Sequence, residues 1–150
     1  MFYYWKSLNA PELGDELIER LTGHAAAAPS PGSTIGIRYQ GGAMARVAEH
    51  ETPFANRGAC YLFGIEGNWA HEAGSERNVA WVRDTFADLR RFSAGGVHLN
   101  FPGFLEEGEQ LLREGYGGNY ERLSAIKATY GPGNLFRFNA NIQPNIRFSP

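Results

Sequence analysis

A chain of 150 residues, 43% of them hydrophobic and 20% charged, suits one globular domain with a real core and excludes a disordered segment. Its net charge of -2, with the signs interspersed, leaves no basic stripe for nucleic acid and no polybasic membrane anchor. No apolar run approaches the roughly 18 residues of a membrane span, and the start lacks the basic region of a secretion signal. The single cysteine, Cys60, rules out an intrachain disulfide and suits a reducing cytoplasm. The expectation is a soluble cytoplasmic protein that meets small molecules or other proteins.

The aromatic run from Phe2 to Ser7 reads as a first strand beginning almost at the first residue. Leu13, Leu17, Leu21 and Ala25, joined by Ile18, then repeat at helical spacing, with Glu12, Asp15 and Glu16 where the helix dipole favours acids; the spacing predicts a helix over 13–28. Beyond the Pro29 to Ser33 loop, Ile35, Ile37 and Tyr39 alternate with Thr34, Gly36, Arg38 and Gln40 as a half-buried strand does. The stretch Ala59 to Trp69 is the predicted central strand, with Tyr61, Phe63 and Ile65 on one face and Cys60, Leu62, Gly64 and Glu66 on the other. Ser75 as a cap and the stripe Val79, Val82, Phe86, Leu89 predict a second helix over 76–92, stopped by Gly95-Gly96. Val97, Leu99 and Phe101, alternating with His98 and Asn100, read as a fourth strand. The resulting order βαββαβ is the ferredoxin-like motif: an α+β fold whose four-stranded antiparallel sheet carries both helices on one face.

Residues 1–104 form this core within a single domain spanning 1–150, and residues 105–150 add a C-terminal helix and an extended tail. A short helix is expected around Glu106 to Arg113 and a clearer one over 119–130, capped by Asn119 and striped by Leu123, Ile126 and Tyr130. The tail carries Leu135, Phe136, Phe138 and Phe148. Burying each is worth roughly 1.5–3 kcal/mol, so it is expected to wrap the domain or dock on another surface.

His24, His50, His71 and His98 do not fall at metal-ligand spacing, so no metal is expected. The glycine pairs Gly41-Gly42 and Gly117-Gly118 read as turns. What coheres is the set that alternation sends to the helix-free face: Arg38, Gln40, Glu66, His98 and Asn100, with Leu62 and Gly64 among them. Polar groups converging on a surface with apolar positions suit an oriented small molecule; a solvated face with an Arg38–Glu66 pair is the alternative. Leu62 and the first-strand aromatics would leave an apolar patch there, most simply covered by a second copy in a homodimer.

From Tyr116-Gly117-Gly118-Asn119 through Arg122-Leu123, Lys127, Tyr130-Gly131-Pro132, Asn134 and Phe136-Arg137 to Asn141-Ile142, the chain resembles the C-terminal signature of the berberine-bridge-enzyme-like FAD-linked oxidoreductases. The family form runs Tyr-Gly-x-Asn-x-x-Arg-Leu, then Lys, then Tyr-Asp-Pro-x-Asn-x-Phe-Arg. Trp5-Lys6-Ser7, Gly41-Gly42-Ala43, the Phe54 to Arg57 segment and Gly96 to Phe101 extend the likeness over essentially the whole chain, toward the bacterial branch. The resemblance implies a substrate-side domain that covers a flavin held by an N-terminal FAD-binding domain, which this sequence does not contain. FAD is then expected on another domain or partner chain, with none bound to this chain alone. The resemblance implies Asn100, Tyr116, Asn119, Asn139 and Asn141 as cofactor-side residues, with substrate met by Arg38, Gln40, Leu62, Gly64, Glu66 and Asn100. Relatives often place an ionisable side chain on the strand that here carries Leu62 and Gly64, and a tyrosine base where His98 stands. His98 is therefore the expected catalytic base. Gly131 replaces the aspartate of the family's Tyr-Asp-Pro turn. The competing reading is a stand-alone dimeric ferredoxin-like binding module with no redox activity.

Overall fold

The computed structural model describes residues 1–93, 95–104, 106–138 and 140–145. Strands β1 (Phe2–Ala10), β2 (Thr34–Tyr39) and β3 (Tyr61–Trp69) pair antiparallel in the order β1-β3-β2, so the predicted central strand is central. Side chains directly opposite share a face, and the register aligns Leu8, Phe63 and Ile37 in one row and Lys6, Ile65 and Ile35 in the next. Helices α1 (Asp15–Ala26) and α3 (Ser75–Leu89) cover that face. Leu17 and Leu21 of α1 and Trp81, Val82 and Leu89 of α3 close over Tyr4, Leu8, Phe63 and Ile65. The periodicities therefore placed two of the three apolar triplets correctly.

The core also holds a polar knot that periodicity does not reveal. Asn78 of α3 is fully buried, and its Nδ2 donates to Ser30 Oγ at 2.9 Å and to the Gly74 carbonyl at 2.8 Å. Its Oδ1 accepts from Ser33 Oγ at 2.9 Å. One amide thus pins the loop before β2 to the start of α3. Ser75, expected as a cap, is instead the first helical residue, and its Oγ accepts from Trp69 Nε1 at 2.9 Å.

The fourth strand of the ferredoxin-like expectation does not form among the described residues. Gly95 and Gly96 both take positive φ, the Phe101 N–H closes a turn on the His98 carbonyl at 2.9 Å, and Pro102 has no N–H for a ladder. Only an isolated Lys6–Pro102 bridge and a Gly103 N–H to Trp5 carbonyl bond touch the outer edge of β1. Val97, Leu99 and Phe101 consequently do not share a face toward the helices. Phe101 lies on the opposite side of the sheet against Gly64, and Leu99 packs against Gly115.

The remaining elements are a single turn α2 (Ala43–Arg46), α4 (Glu109–Tyr116) and α5 (Tyr120–Tyr130). Asn119 precedes α5 but makes no cap bond; its Nδ2 donates to the Glu49 carbonyl at 2.9 Å, tying the α4–α5 corner to the β2–β3 connection. Leu62 is 2% exposed, so the helix-free face is covered at that point by this chain itself and gives no cause for a second copy there. Residues 143 and 145 dock on α5 through the bond from Ser124 Oγ to the Gln143 carbonyl and from the Asn145 N–H to the Ser124 carbonyl. Of the two expectations for the tail, Leu135, Phe136 and Phe138 do not wrap the domain: they are exposed, Phe138 to 95%, which leaves docking on another surface. Phe148 lies outside the described residues.

Candidate functional site

Across the helix-free face the register sets Ser7, Gly64 and Gly36 side by side, a row almost without side chains. The flanking rows are Trp5, Glu66 and Thr34 on one side and Asn9, Leu62 and Arg38 on the other. Arg38 reaches over the glycines to Glu66, Nη2 to Oε1 at 3.0 Å, so the cross-strand pair suggested by alternation exists and runs diagonally. The same trough admits Phe101, the hub of the site. Its ring meets Trp5 at 5.7 Å between centroids, His98 edge-on at 5.6 Å, and the Arg38 guanidinium at 5.3 Å. A Cβ on Gly64 would stand 2.8 Å from Glu66 Oε1, 2.9 Å from Arg38 Nη1 and 3.2 Å from Phe101 Cε1. Glycine at 64 is what lets ion pair and ring lie flat on the sheet.

His98 sits at the β1 side of this trough, on a turn rather than a strand. Its backbone N–H donates to Ser7 Oγ at 3.0 Å, and its ring packs against Phe54 as well as Phe101. Burial lowers the imidazole pKa below its ordinary value, and the positive charge of Arg38 lowers it further. Asn100 is exposed in the turn, and its N–H, rather than its side chain, meets His98 Nδ1. Gln40 is 7% exposed beside Leu62, and its Oε1 has no hydrogen-bond partner among the described residues. The structure thus brings Arg38, Gly64, Glu66 and His98 together and buries Leu62 beneath them.

The residues implied for the cofactor do not join this group. The Asn119 amide is engaged by Glu49, Asn141 Oδ1 accepts from Lys127 Nζ, and Tyr116 is half-buried at the end of α4. Asn139 lies outside the described residues. Asn119 and Asn141 are thus engaged within the chain itself.

Sequence reasoning missed two parts of the site. Trp5, one of the first-strand aromatics expected on the helix-free face but not assigned to the site, is oriented by Asn68, whose Oδ1 accepts from Nε1 at 3.0 Å. The second part is a latch that fixes residues 102–104, 106 and 107 beside the His98 turn. The Tyr4 hydroxyl donates to Glu106 Oε1, Arg83 Nη2 donates to the same oxygen at 2.9 Å, and the Phe104 N–H donates to Oε2 at 2.8 Å. Lys6, buried over the Phe86 ring, pairs with Glu107. Burial would raise the Glu106 carboxyl, but hydrogen bonds from Tyr4, its own backbone, Arg83 and Phe104 outweigh it and bring it down to about 2. Burial first, and then the Glu106 bond, push the Tyr4 hydroxyl up to about 12.

Pro102, Gly103, Phe104, Leu99 and Asn100 wall one side of a groove of about 580 Å3 whose floor is Tyr3, Tyr4 and Trp5. No group of three or more metal-ligating side chains occurs among the described residues, and no helix among them is long and apolar enough to cross a membrane.

A three-stranded antiparallel sheet with helices on one face and a polar, aromatic-lined trough on the other defines a small α+β module. Comparison gives its family. Residues 99–143 match the family described as berberine and berberine like. The FAD-linked oxidoreductase YgaK of Bacillus subtilis is 33% identical over 117 residues, which is 78% of this chain and 25% of that protein. Glucooligosaccharide oxidase of Sarocladium strictum is 29% identical, over 95% of this chain and 32% of that protein. Among solved structures, wild-type Phl p 4.0202, a glucose dehydrogenase, shares the fold with a TM-score of 0.85 at 16% identity, over 97% of this chain and 33% of that one. The chain is a berberine-bridge-enzyme-like relative of the bacterial FAD-linked oxidoreductases, and it spans about a quarter to a third of the length of these relatives.

Proposed function

We propose that this chain forms the substrate side of an FAD-dependent oxidoreductase, covering a flavin carried by a domain or chain outside these residues and holding a small molecule for oxidation. The carrying observation is the trough: over the bare row of Ser7, Gly64 and Gly36 lie the Phe101 ring, a guanidinium and a carboxylate, with an imidazole at the edge. The flavin supplies two-electron oxidation when bound. Arg38, Glu66 and Asn100 orient the substrate, Trp5 and Phe101 offer it aromatic faces, and His98 meets its reacting oxygen. An aromatic row beside a carboxylate and a guanidinium suits a hydroxyl-bearing ring, in keeping with the glucooligosaccharide oxidase among the relatives. The exposed Tyr130, Leu135, Phe136 and Phe138 support docking of the flavin-carrying part at the C-terminal end, since large apolar side chains left in water at one end of the chain suit an interaction site. A cytoplasmic setting agrees with the single free cysteine.

Hydrogen exchange on mixing with the FAD-loaded flavin-binding portion of YgaK tests the reading. Protection is expected over residues 36–40 and 96–104, with the solvent faces of α1 and α3 unchanged; protection of those helix faces instead, or none anywhere, refutes it. The open edge of β2, where Ile37 and Tyr39 remain exposed, favours one second reading, a stand-alone module pairing with a second copy. A native mass of twice the chain, with no binding to the flavin-binding portion, would select it.

A further inference from the structure

Ser7 is 1% exposed in the middle of β1, and its hydroxyl meets both main-chain polar groups of one residue, His98. Oγ accepts from the His98 N–H at 3.0 Å and donates to the His98 carbonyl at 3.4 Å. A side chain thus takes the place of the main-chain ladder that a fourth strand would have made, and holds the turn above the sheet instead of in its plane. Within that turn the Asn100 N–H donates to His98 Nδ1 at 3.3 Å, and the Phe101 N–H closes onto the His98 carbonyl.

A ring nitrogen that accepts a hydrogen bond carries no proton, and a neutral imidazole carries only one. The proton of neutral His98 therefore belongs on Nε2. Burial and Arg38 both disfavour the charged ring, so the neutral form is the one to consider near pH 7.

We propose that Ser7 is a positioning residue which pins the His98 turn to the sheet, and that the turn fixes His98 as the Nε2–H tautomer, so that the site presents a hydrogen-bond donor to an electron-rich oxygen of the substrate. The last clause rests on the substrate-side reading; the tautomer and its dependence on Ser7 belong to the chain alone. This departs from the expectation of a general base. The Nδ1 lone pair is engaged by Asn100 and Nε2 already bears a proton, so the resting ring has no free site to accept another. What it supplies is a donor preoriented toward an oxygen that gains negative charge, a carbonyl or alkoxide-like group.

The test is a two-bond proton–nitrogen correlation spectrum of the 15N-labelled chain across neutral pH, with His98 assigned by the signal lost in His98→Gln. The expected pattern has Nε2 protonated and Nδ1 bare. Ser7→Ala is expected to release the turn, raising the His98 pKa toward the ordinary value of about 6.5 and mixing the tautomers. Ser7→Thr, which keeps the hydroxyl, is expected to retain the wild-type pattern, while the His24, His50 and His71 signals report an intact fold in every variant. An Nδ1–H pattern in the wild type overturns the tautomer without needing any variant. An unchanged His98 signal in Ser7→Ala overturns the positioning role. Failure of the substrate-side reading would leave all of these spectra as expected and appear only in the exchange experiment.

Discussion

Two glycines of β3, three residues apart and on opposite faces, separate the structural face of the sheet from the functional one. A Cβ on Gly67 would stand 2.9 Å from Val82 Cγ2 and 3.1 Å from the Tyr4 carbonyl oxygen. Both are closer than the roughly 3.5–4.0 Å of a comfortable carbon contact, and neither a strand carbonyl nor the fully buried Val82 can swing away. Gly67→Ala must therefore lift α3 from the sheet. Overpacking costs about 1–3 kcal/mol, and replacing a strand glycine returns about 0.5–1 kcal/mol. The net loss is about 0–2.5 kcal/mol, or up to roughly 10 °C in Tm for a chain of this size. A Cβ on Gly64 meets mainly the far ends of Arg38 and Glu66, which can rotate into solvent. Their exposed ion pair is worth about 0–1 kcal/mol, so Gly64→Ala is expected to change stability by less than about 1 kcal/mol while displacing the pair and Phe101. Urea denaturation, comparing midpoints at equal slope, measures the contrast. Equal losses in the two variants, or the larger loss in Gly64→Ala, would refute the assignment of the two faces.

Asn78→Ala removes three hydrogen bonds at a fully buried site and takes its partner from the Ser30 hydroxyl, so it is expected to cost about 2–4 kcal/mol; a thermal unfolding midpoint within about 1 °C of wild type would contradict this. The Tyr4–Glu106 latch should give stability a plateau with two shoulders. The Glu106 carboxyl is depressed from 4.5 to about 2, so its contribution is present above 4.5 and lost as pH falls toward 2. The Tyr4 hydroxyl is raised from 10.0 to about 12, so its contribution is held below 10 and lost as pH rises toward 12. Urea midpoints measured against pH are expected to lose the acid shoulder in Glu106→Gln, and an unchanged acid limb would remove the latch from the account.

The sheet was legible where burial repeats with a fixed period. Tyr61, Phe63 and Ile65 and the α1 and α3 stripes each bury one side of a regular element, and alternation also put Arg38 and Glu66 on one face, where they pair. It misled at Val97 to Phe101, because an alternating run of five does not distinguish a strand from a turn whose side chains find separate niches. Gly95-Gly96 was read as a helix stop and Pro102 went unweighed, yet these residues deny the segment its ladder and turn it across the sheet. The Tyr4–Arg83–Glu106 latch joins residues 102 positions apart and has no period to detect. Asn119 illustrates the opposite limit: a residue type apt for capping was drawn off by a tertiary partner, the Glu49 carbonyl. The tail follows no period: residues 143 and 145 dock on α5, while Leu135, Phe136 and Phe138 stay in contact with solvent.

On the proposed reading, this chain supplies one side of a flavin site and does not hold the cofactor by itself. Gel filtration of the purified chain with excess FAD, alone and together with the flavin-binding portion of YgaK, with the flavin absorbance followed across the protein peaks, tests it directly. The chain alone is expected to elute without flavin, and the mixture to give a single flavin-bearing peak at the summed mass, weakened when Phe101→Ala empties the trough. Stoichiometric flavin retained by the chain alone, or two separate peaks from the mixture, would contradict the account.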